Sequence, residues 1–219
     1  MRLYIKISKT NQIINFNYQQ LLTGCIHKWL GFDNKQHGEI SLYSFSWLQN
    51  VETVKNGIKI KEDTYFMLSF YDKEMIKKVI RNIIDEPEMF YGARAYDVRI
   101  QETPIFSKKE RFILASPVLI KRKVDNKELH FTFLEEKSNE YLVETIKTKA
   151  KIAGINSENI NVYFDKSYHL PKTKIITYKG IKNKVSICPI IMEGNPDMIA
   201  FAWNVGIGNS TGIGFGALK

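Results

Sequence analysis

Two groups of residues in this chain have types and spacings that suggest chemistry. The first is the run Gly206-Ile207-Gly208-Asn209-Ser210-Thr211-Gly212-Ile213-Gly214-Phe215-Gly216, in which five glycines alternate or nearly alternate around a small polar centre. Glycine admits positive φ and lets a backbone approach another molecule closely. Successive N–H groups in such a loop can form an anion-binding concavity, so the run has the character of a phosphate-facing loop. A glycine-rich hairpin or tight strand turn without a ligand has the same composition. A P-loop needs Gly-Lys-Ser/Thr followed by a helix, and no lysine stands at that place. A dinucleotide fingerprint needs a following helix and a distal acidic residue, and only Ala217, Leu218 and Lys219 follow. These gaps point away from a cradled mononucleotide and toward a polymeric phosphate backbone.

The second group is the histidines His27, His37, His130 and His169, the side chains whose ordinary pKa lies nearest neutrality. None has a metal-ligand spacing such as His-Glu-x-x-His, and no metal or cofactor is expected. His27 falls on a helix face with Gln20, Thr23 and Gly24, which makes it accessible; an ordinary solvated helix histidine would look the same. His37 lies in the polar loop 32–39. His130 sits at a strand end and His169 in a polar loop, and both read as bystanders.

The charge balance sets the class of partner. Thirty-two Lys and Arg against 23 Asp and Glu give a net charge of +9 and a pI near 9.3. That favours a polyanion, nucleic acid before an anionic membrane surface. Lys172, Lys174, Lys179, Lys182 and Lys184 flank a hairpin signal at Lys179-Gly180, suited to phosphate contacts or to a solvated sheet edge. Lys121, Arg122 and Lys123 form a smaller cluster, whereas Lys147, Lys149 and Lys151 read as the solvent face of a helix. The 13 Phe and 11 Tyr serve either as core or as stacking platforms for single-stranded RNA. Cys25 and Cys188 read as reduced core residues. The start of the chain alternates as a strand and not as a signal peptide, and no apolar run approaches the roughly 18 residues of a membrane span. A cytoplasmic protein is expected.

The elements that must position these groups follow from periodicity. Residues 1–7 alternate as a half-buried strand, with Leu3, Ile5 and Ile7 inward. A helix is predicted over 18–30, capped by Asn17 with Gln20 in capping-box position, and stopped by Gly31. Residues 40–47 are extended, 50–61 form a hairpin at Asn56-Gly57, and 64–70 form a strand. Asp72 caps a second helix with Met75, Ile76, Val79, Ile80, Ile83 and Ile84 at helical spacing, ended by Pro87. Strands are predicted over 89–91 and 95–103. Strand, helix, two strands, helix and strand is the ferredoxin-like arrangement also used by RNA-recognition modules. The pattern repeats: strands over 112–122 and 129–133, a helix over 138–153, strands over 161–164, 174–178 and 185–192, a short helix over 196–204, and a last short strand after the glycine loop. The expected fold is therefore α+β, with two tandem ferredoxin-like domains, 1–108 and 109–219, and a C-terminal glycine-rich loop.

Two such halves, a basic chain and a terminal loop ending Gly-Phe-Gly together resemble the CRISPR-associated endoribonuclease family that cuts precursor CRISPR RNA within its repeats. The resemblance runs over nearly the whole length. It rests on the opening strand, Leu21-Leu22-Thr23-Gly24-Cys25-Ile26-His27, Ser116-Pro117-Val118 and above all 206–216. It implies metal-independent cleavage in which a general base helps a 2′-hydroxyl attack its own phosphate and a general acid protonates the leaving 5′-oxygen, giving 2′,3′-cyclic phosphate and 5′-hydroxyl ends. The family's loop histidine falls on His37. Its frequent tyrosine near the end of the first helix falls on His27, and a lysine of some members falls on Ser41. The implied catalytic pair is His37 and His27, with Tyr43, Lys35 or Lys28 as candidates for transition-state support. Gly206, Gly208, Asn209, Ser210, Thr211, Gly212, Gly214 and Gly216, with Lys172, Lys174, Lys179 and Lys182, would hold the repeat RNA. Subunits of an interference complex and a homodimer are further partners the resemblance suggests. Some family members only bind RNA, so a non-catalytic protein retained on the guide is the alternative.

Overall fold

Alternation and helical periodicity produce the first half as expected. The computed structural model describes residues 1–31 and 40–219. Strand β1 (Arg2–Ile7) is followed by helix α1 (Gln19–Leu30), β2 (Tyr43–Phe45), the hairpin β3 (Glu52–Val54) and β4 (Gly57–Lys59), β5 (Tyr65–Phe70), helix α2 (Lys73–Asp85) and β6 (Ala95–Gln101). The antiparallel sheet runs β2-β5-β1-β6, so β1 is central, with Leu3 opposite Leu68 and Ile100. Leu3, Ile5 and Ile7 pack under Leu22, Ile26 and Trp29 of α1 and Ile76, Val79 and Ile83 of α2. Each such side chain contributes roughly 1.5–3 kcal/mol on full burial. The Asp72 carboxylate accepts the Glu74 amide and starts α2 as expected. Helix α1 differs at its start: Tyr18 is the flanking residue and makes no side-chain cap, while Asn15 takes the Asn17 amide. Residues 89–91 are not a strand; they form a turn closed by the Met89 amide on the Ala93 carbonyl.

The second half repeats the plan with more interruptions. It contains β7 (Lys109–Phe112), the hairpin β8 (Ile120–Val124) and β9 (Lys127–Phe131), helix α3 (Ser138–Ile152), β10 (Ile160–Phe164), the hairpin β11 (Lys172–Tyr178) and β12 (Ile181–Ile187), β13 (Ile190–Gly194) and helix α4 (Pro196–Val205). Its sheet runs β10-β13-β7, extended past β7 by the Leu114–Leu218 bridge and the Lys219 amide on the Ile113 carbonyl. That is the order of a second ferredoxin-like unit, with α3 and α4 packed over it. The strand predicted over 112–122 is broken into β7 and β8. Pro117 has no N–H to give a ladder, and its carbonyl instead takes the Gly216 amide. The strand predicted over 185–192 is likewise divided at Cys188-Pro189.

The two halves meet through the open face of the first sheet. Arg2, on the face of β1 opposite Leu3, Ile5 and Ile7, is nonetheless only 2% exposed. Its guanidinium donates to Ser69 Oγ at 2.7 Å and to the carbonyls of Leu218 at 2.7 Å and Trp203 at 3.3 Å, and lies 3.6 Å from the centre of the Trp203 ring. Ser44 of β2 donates to the Asn204 carbonyl at the end of α4. Tyr4, Met67, Ala115 and Ala217 fill the same interface.

Candidate active site

Helix α1 and strand β2 bring His27 and Tyr43 together. His27 is half-buried two turns into α1. Its Nε2 lies 3.2 Å from the hydroxyl of Tyr43, a residue 3% exposed on β2. The same hydroxyl donates to the Gly212 carbonyl at 3.1 Å. A phenol has one proton, and a carbonyl can only accept. Completing both bonds therefore requires a proton on His27 Nε2; a neutral ring with that proton would have its lone pair on Nδ1. Burial pushes the Tyr43 hydroxyl far above its ordinary range, with a hydrogen bond from Ser41 acting against it, so the phenol stays protonated and orients the ring without serving as a base.

The glycine-rich loop is the third wall, and its glycines are needed for close packing. A Cβ on Gly216 would stand 1.9 Å from the Ile207 carbonyl oxygen, and one on Gly208 2.5 Å from that of Leu119. Gly206, Gly208, Gly212, Gly214 and Gly216 are all buried, whereas Asn209, Ser210 and Ile213 reach the surface. The expected row of bare amides is largely used inside the protein. The N–H groups of Ile207, Asn209, Gly214 and Gly216 donate to the carbonyls of Gly216, Leu119, Thr211 and Pro117. Asn209 Oδ1 accepts from the Lys121 amide and from Arg122, which ties the loop to β8. Gln19 and Trp47 grip the loop's far end through the carbonyls of Ile213 and Gly214. Thr211 donates to the Tyr43 carbonyl at 2.9 Å.

The structure separates the remaining candidates. Lys28 donates to the Glu88 carbonyl at 2.7 Å and lies 3.7 Å from the Glu86 carboxylate, so its ammonium is already engaged by the segment after α2. Ser41 lies against Gly212, where a Cβ would stand 2.2 Å from its Oγ. His37 and Lys35 lie outside the described residues. His130 takes the Lys184 amide on its Nδ1, and exposed His169 lies tilted against the Tyr168 ring; each has its contacts away from His27. The hairpin lysines divide by register. Lys172 and Lys174 share a face with Val185 and Ile187, and Lys182 and Lys184 point from the other face with Ile175 and Thr177. Lys179 occupies the left-handed tip at φ 47°.

Sequence reasoning missed Lys149. Read as a solvated helix lysine, it is 2% exposed and donates to the carbonyls of Val205 at 3.0 Å and Gly206 at 3.2 Å and to Thr211 Oγ1 at 3.0 Å. Burial lowers it to about 7. The missed signal was its spacing: residue 149 lies three after Ile146 and seven after Leu142, on the inward face of α3. Among the described residues no group of His, Cys, Asp and Glu could hold a metal ion, and no helix is long and apolar enough to cross a membrane.

Comparison with known proteins places this geometry in context. The family model for the C-terminal part of CRISPR associated protein Cas6 matches residues 99–219. The CRISPR-associated endoribonuclease Cas6 1 of Methanocaldococcus jannaschii is 22% identical, over 99% of this chain and 91% of that protein. The solved structure of a Cas6-related gene product from Pyrococcus furiosus is 22% identical, covers 100% of this chain and 97% of its own, and superposes with a TM-score of 0.87. An RAMP protein binding different RNA substrates is 18% identical, with coverage of 100% and 98% and a TM-score of 0.85. The fold of those structures is the tandem ferredoxin-like fold described above, and because the C-terminal model spans more than half of the chain, glycine-rich loop included, this protein belongs to the Cas6 family.

Proposed function

We propose that this protein is an endoribonuclease that processes CRISPR precursor RNA by cutting within the repeat. A 2′-hydroxyl attacks the adjacent phosphate, the phosphorus–5′-oxygen bond breaks, and 2′,3′-cyclic phosphate and 5′-hydroxyl ends result. One histidine takes the 2′-hydroxyl proton and a second delivers a proton to the leaving oxygen, so proton donor and acceptor balance without a metal. His27 is one of the pair and His37 the other. The observation that carries this reading is the Tyr43 hydroxyl set between His27 Nε2 and the Gly212 carbonyl, which orients an imidazole against the glycine-rich loop. Such fixed orientation is what general acid–base catalysis requires. Positive charge from the β11–β12 hairpin and the half-buried Asn209–Ser210 edge of the loop would hold the strand.

The test is cleavage of a labelled repeat RNA in EDTA by the wild type, His27→Ala and His37→Ala, alongside a substrate with one 2′-deoxy residue at the cut. Cutting that survives EDTA and disappears with the deoxy substrate supports the reaction class. Loss of cutting with retained binding in each variant supports the pair. Tight binding by the wild type with no cutting of any repeat overturns the enzyme reading in favour of an RNA-binding protein, a reading that Ser41 at the family's lysine position favours.

A further inference from the structure

Among the described residues, buried Lys149 has no carboxylate partner. What holds it is the end of a helix: Val205 and Gly206 close α4, and their carbonyls carry the negative end of its dipole. The third donor goes to Thr211 Oγ1, which donates in turn to the Tyr43 carbonyl. From Tyr43 the phenol reaches the Gly212 carbonyl and His27 Nε2. An ammonium on α3 is thus connected through hydrogen bonds to the imidazole on α1, across the interface between the halves. In the ammonium form all three of its protons are used by loop or helix-end acceptors, so it supplies geometry and not a direct contact to RNA. A hydrophobic residue would fill the space equally well, yet would leave two helix-end carbonyls and the threonine hydroxyl without this donor.

We infer that Lys149 is a positioning residue for RNA cleavage: its ammonium fixes the glycine-rich loop so that Gly212 and Tyr43 hold His27 in its Nε2–H form. This rests on the proposed role of His27 in cleavage, and the readouts are chosen to separate the two. The Lys149 ammonium bridges the end of α4 and Thr211 directly, donating to the Val205 and Gly206 carbonyls on one side and to Thr211 Oγ1 on the other. Thr211 Oγ1 both receives that bond and passes one to the β2 backbone, which makes it the relay.

The experiment uses the full chain with ¹⁵N-labelled histidine, the His27 signals being assigned by their loss in His27→Gln. Wild type, Lys149→Met, Thr211→Val and the double variant are compared by imidazole ¹⁵N shifts, single-turnover cleavage of the labelled repeat and RNA binding. Lys149→Met is expected to shift His27 from the Nε2–H pattern to a tautomer mixture and to slow cleavage about 10- to 100-fold, in the range a misplaced group costs, with binding changed less than about three-fold. Thr211→Val moves the signals in the same direction, and the double variant is no slower than Lys149→Met because both cut one relay. A folded Lys149→Met protein with wild-type His27 signals overturns the proposal. If Lys149→Met does not fold, Thr211→Val decides: unchanged His27 signals overturn the proposal and shifted signals sustain it. Normal cleavage by His27→Ala would refute the role of His27 while leaving the tautomer coupling readable.

Discussion

The sharpest perturbation of the site is one methyl group at Gly212. This glycine does not need positive φ, so Gly212→Ala introduces no backbone strain and acts only through contacts. The added Cβ would meet Ser41 Oγ at 2.2 Å, Ser41 Cβ at 2.8 Å and the Tyr43 hydroxyl at 3.0 Å. Ser41 Oγ can rotate away. Its Cβ cannot, and 2.8 Å is about 0.7 Å short of a comfortable carbon–carbon separation. Either the loop or the segment leading into β2 must yield by that amount, which exceeds the roughly 0.5 Å tolerance of a catalytic constellation. The expected loss is about 10- to 100-fold in single-turnover cleavage, about 1.4–2.7 kcal/mol in the barrier. Overpacking of this kind costs about 1–3 kcal/mol of stability, which moves Tm by several degrees in a chain of this size. RNA affinity should change little, because the methyl group points inward. Gly24→Ala is the matched control: nothing lies within 4 Å of its Cβ, and alanine in the helix interior should stabilise by about 0.5–1 kcal/mol with unchanged cleavage. Wild-type cleavage by Gly212→Ala would refute the argument that the Gly212–Tyr43–His27 contact sets the site.

Three other outcomes are expected. Arg2→Met should destabilise by about 2–4 kcal/mol in urea unfolding, since it orphans the Leu218 and Trp203 carbonyls and removes the contact with the Trp203 ring; a change under about 0.5 kcal/mol would mean that the Arg2 contacts contribute little to joining the halves. Burial holds Lys149 at about 7 in the fold against 10.5 for the free side chain, so between those values the unfolded chain binds more protons and stability rises with pH. Measured against Lys149→Met, which lacks the titration, wild-type stability should be flat below pH 7 and gain up to about 1.4 kcal/mol per pH unit above it; a flat difference up to pH 9 would show the ammonium retaining its charge throughout. Finally, Lys174→Ala and Lys182→Ala, on opposite faces of the β11–β12 hairpin, should each lower the slope of log affinity against log salt by about 0.7 if both faces touch single-stranded RNA; a change in only one variant identifies the face the strand follows.

Local chemistry made much of the fold legible. Alternation of Leu3, Ile5 and Ile7 specifies β1, helical spacing and the Asp72 cap specify α2, and Asn195 followed by Pro196 starts α4. Each signal works within one element, where side-chain period and backbone geometry are linked directly. The element order was enough for the tandem ferredoxin-like plan, and the glycine-rich run marked the segment that walls the site. Breaks inside elements were less visible. The run 112–122 has strand composition, but Pro117 and the return of residues 216–219 beside it redirect its hydrogen bonds to a partner about a hundred residues away.

What only the tertiary structure decided is which polar groups meet across elements. Arg2 and Lys149 carry the charges of surface residues, and both are buried because a distant element brings carbonyls to them: Trp203 and Leu218 of the other half for Arg2, and Val205 and Gly206 at the end of α4, in the same half, for Lys149. The pairing of His27 with Tyr43 and Gly212 spans 16 and 169 residues from the tyrosine. No period or local propensity encodes such a contact. By itself the sequence determined residue types, periods and caps, and so the elements and the chemical repertoire; the packing of one sheet's open face against the second half determined which of those groups share a site.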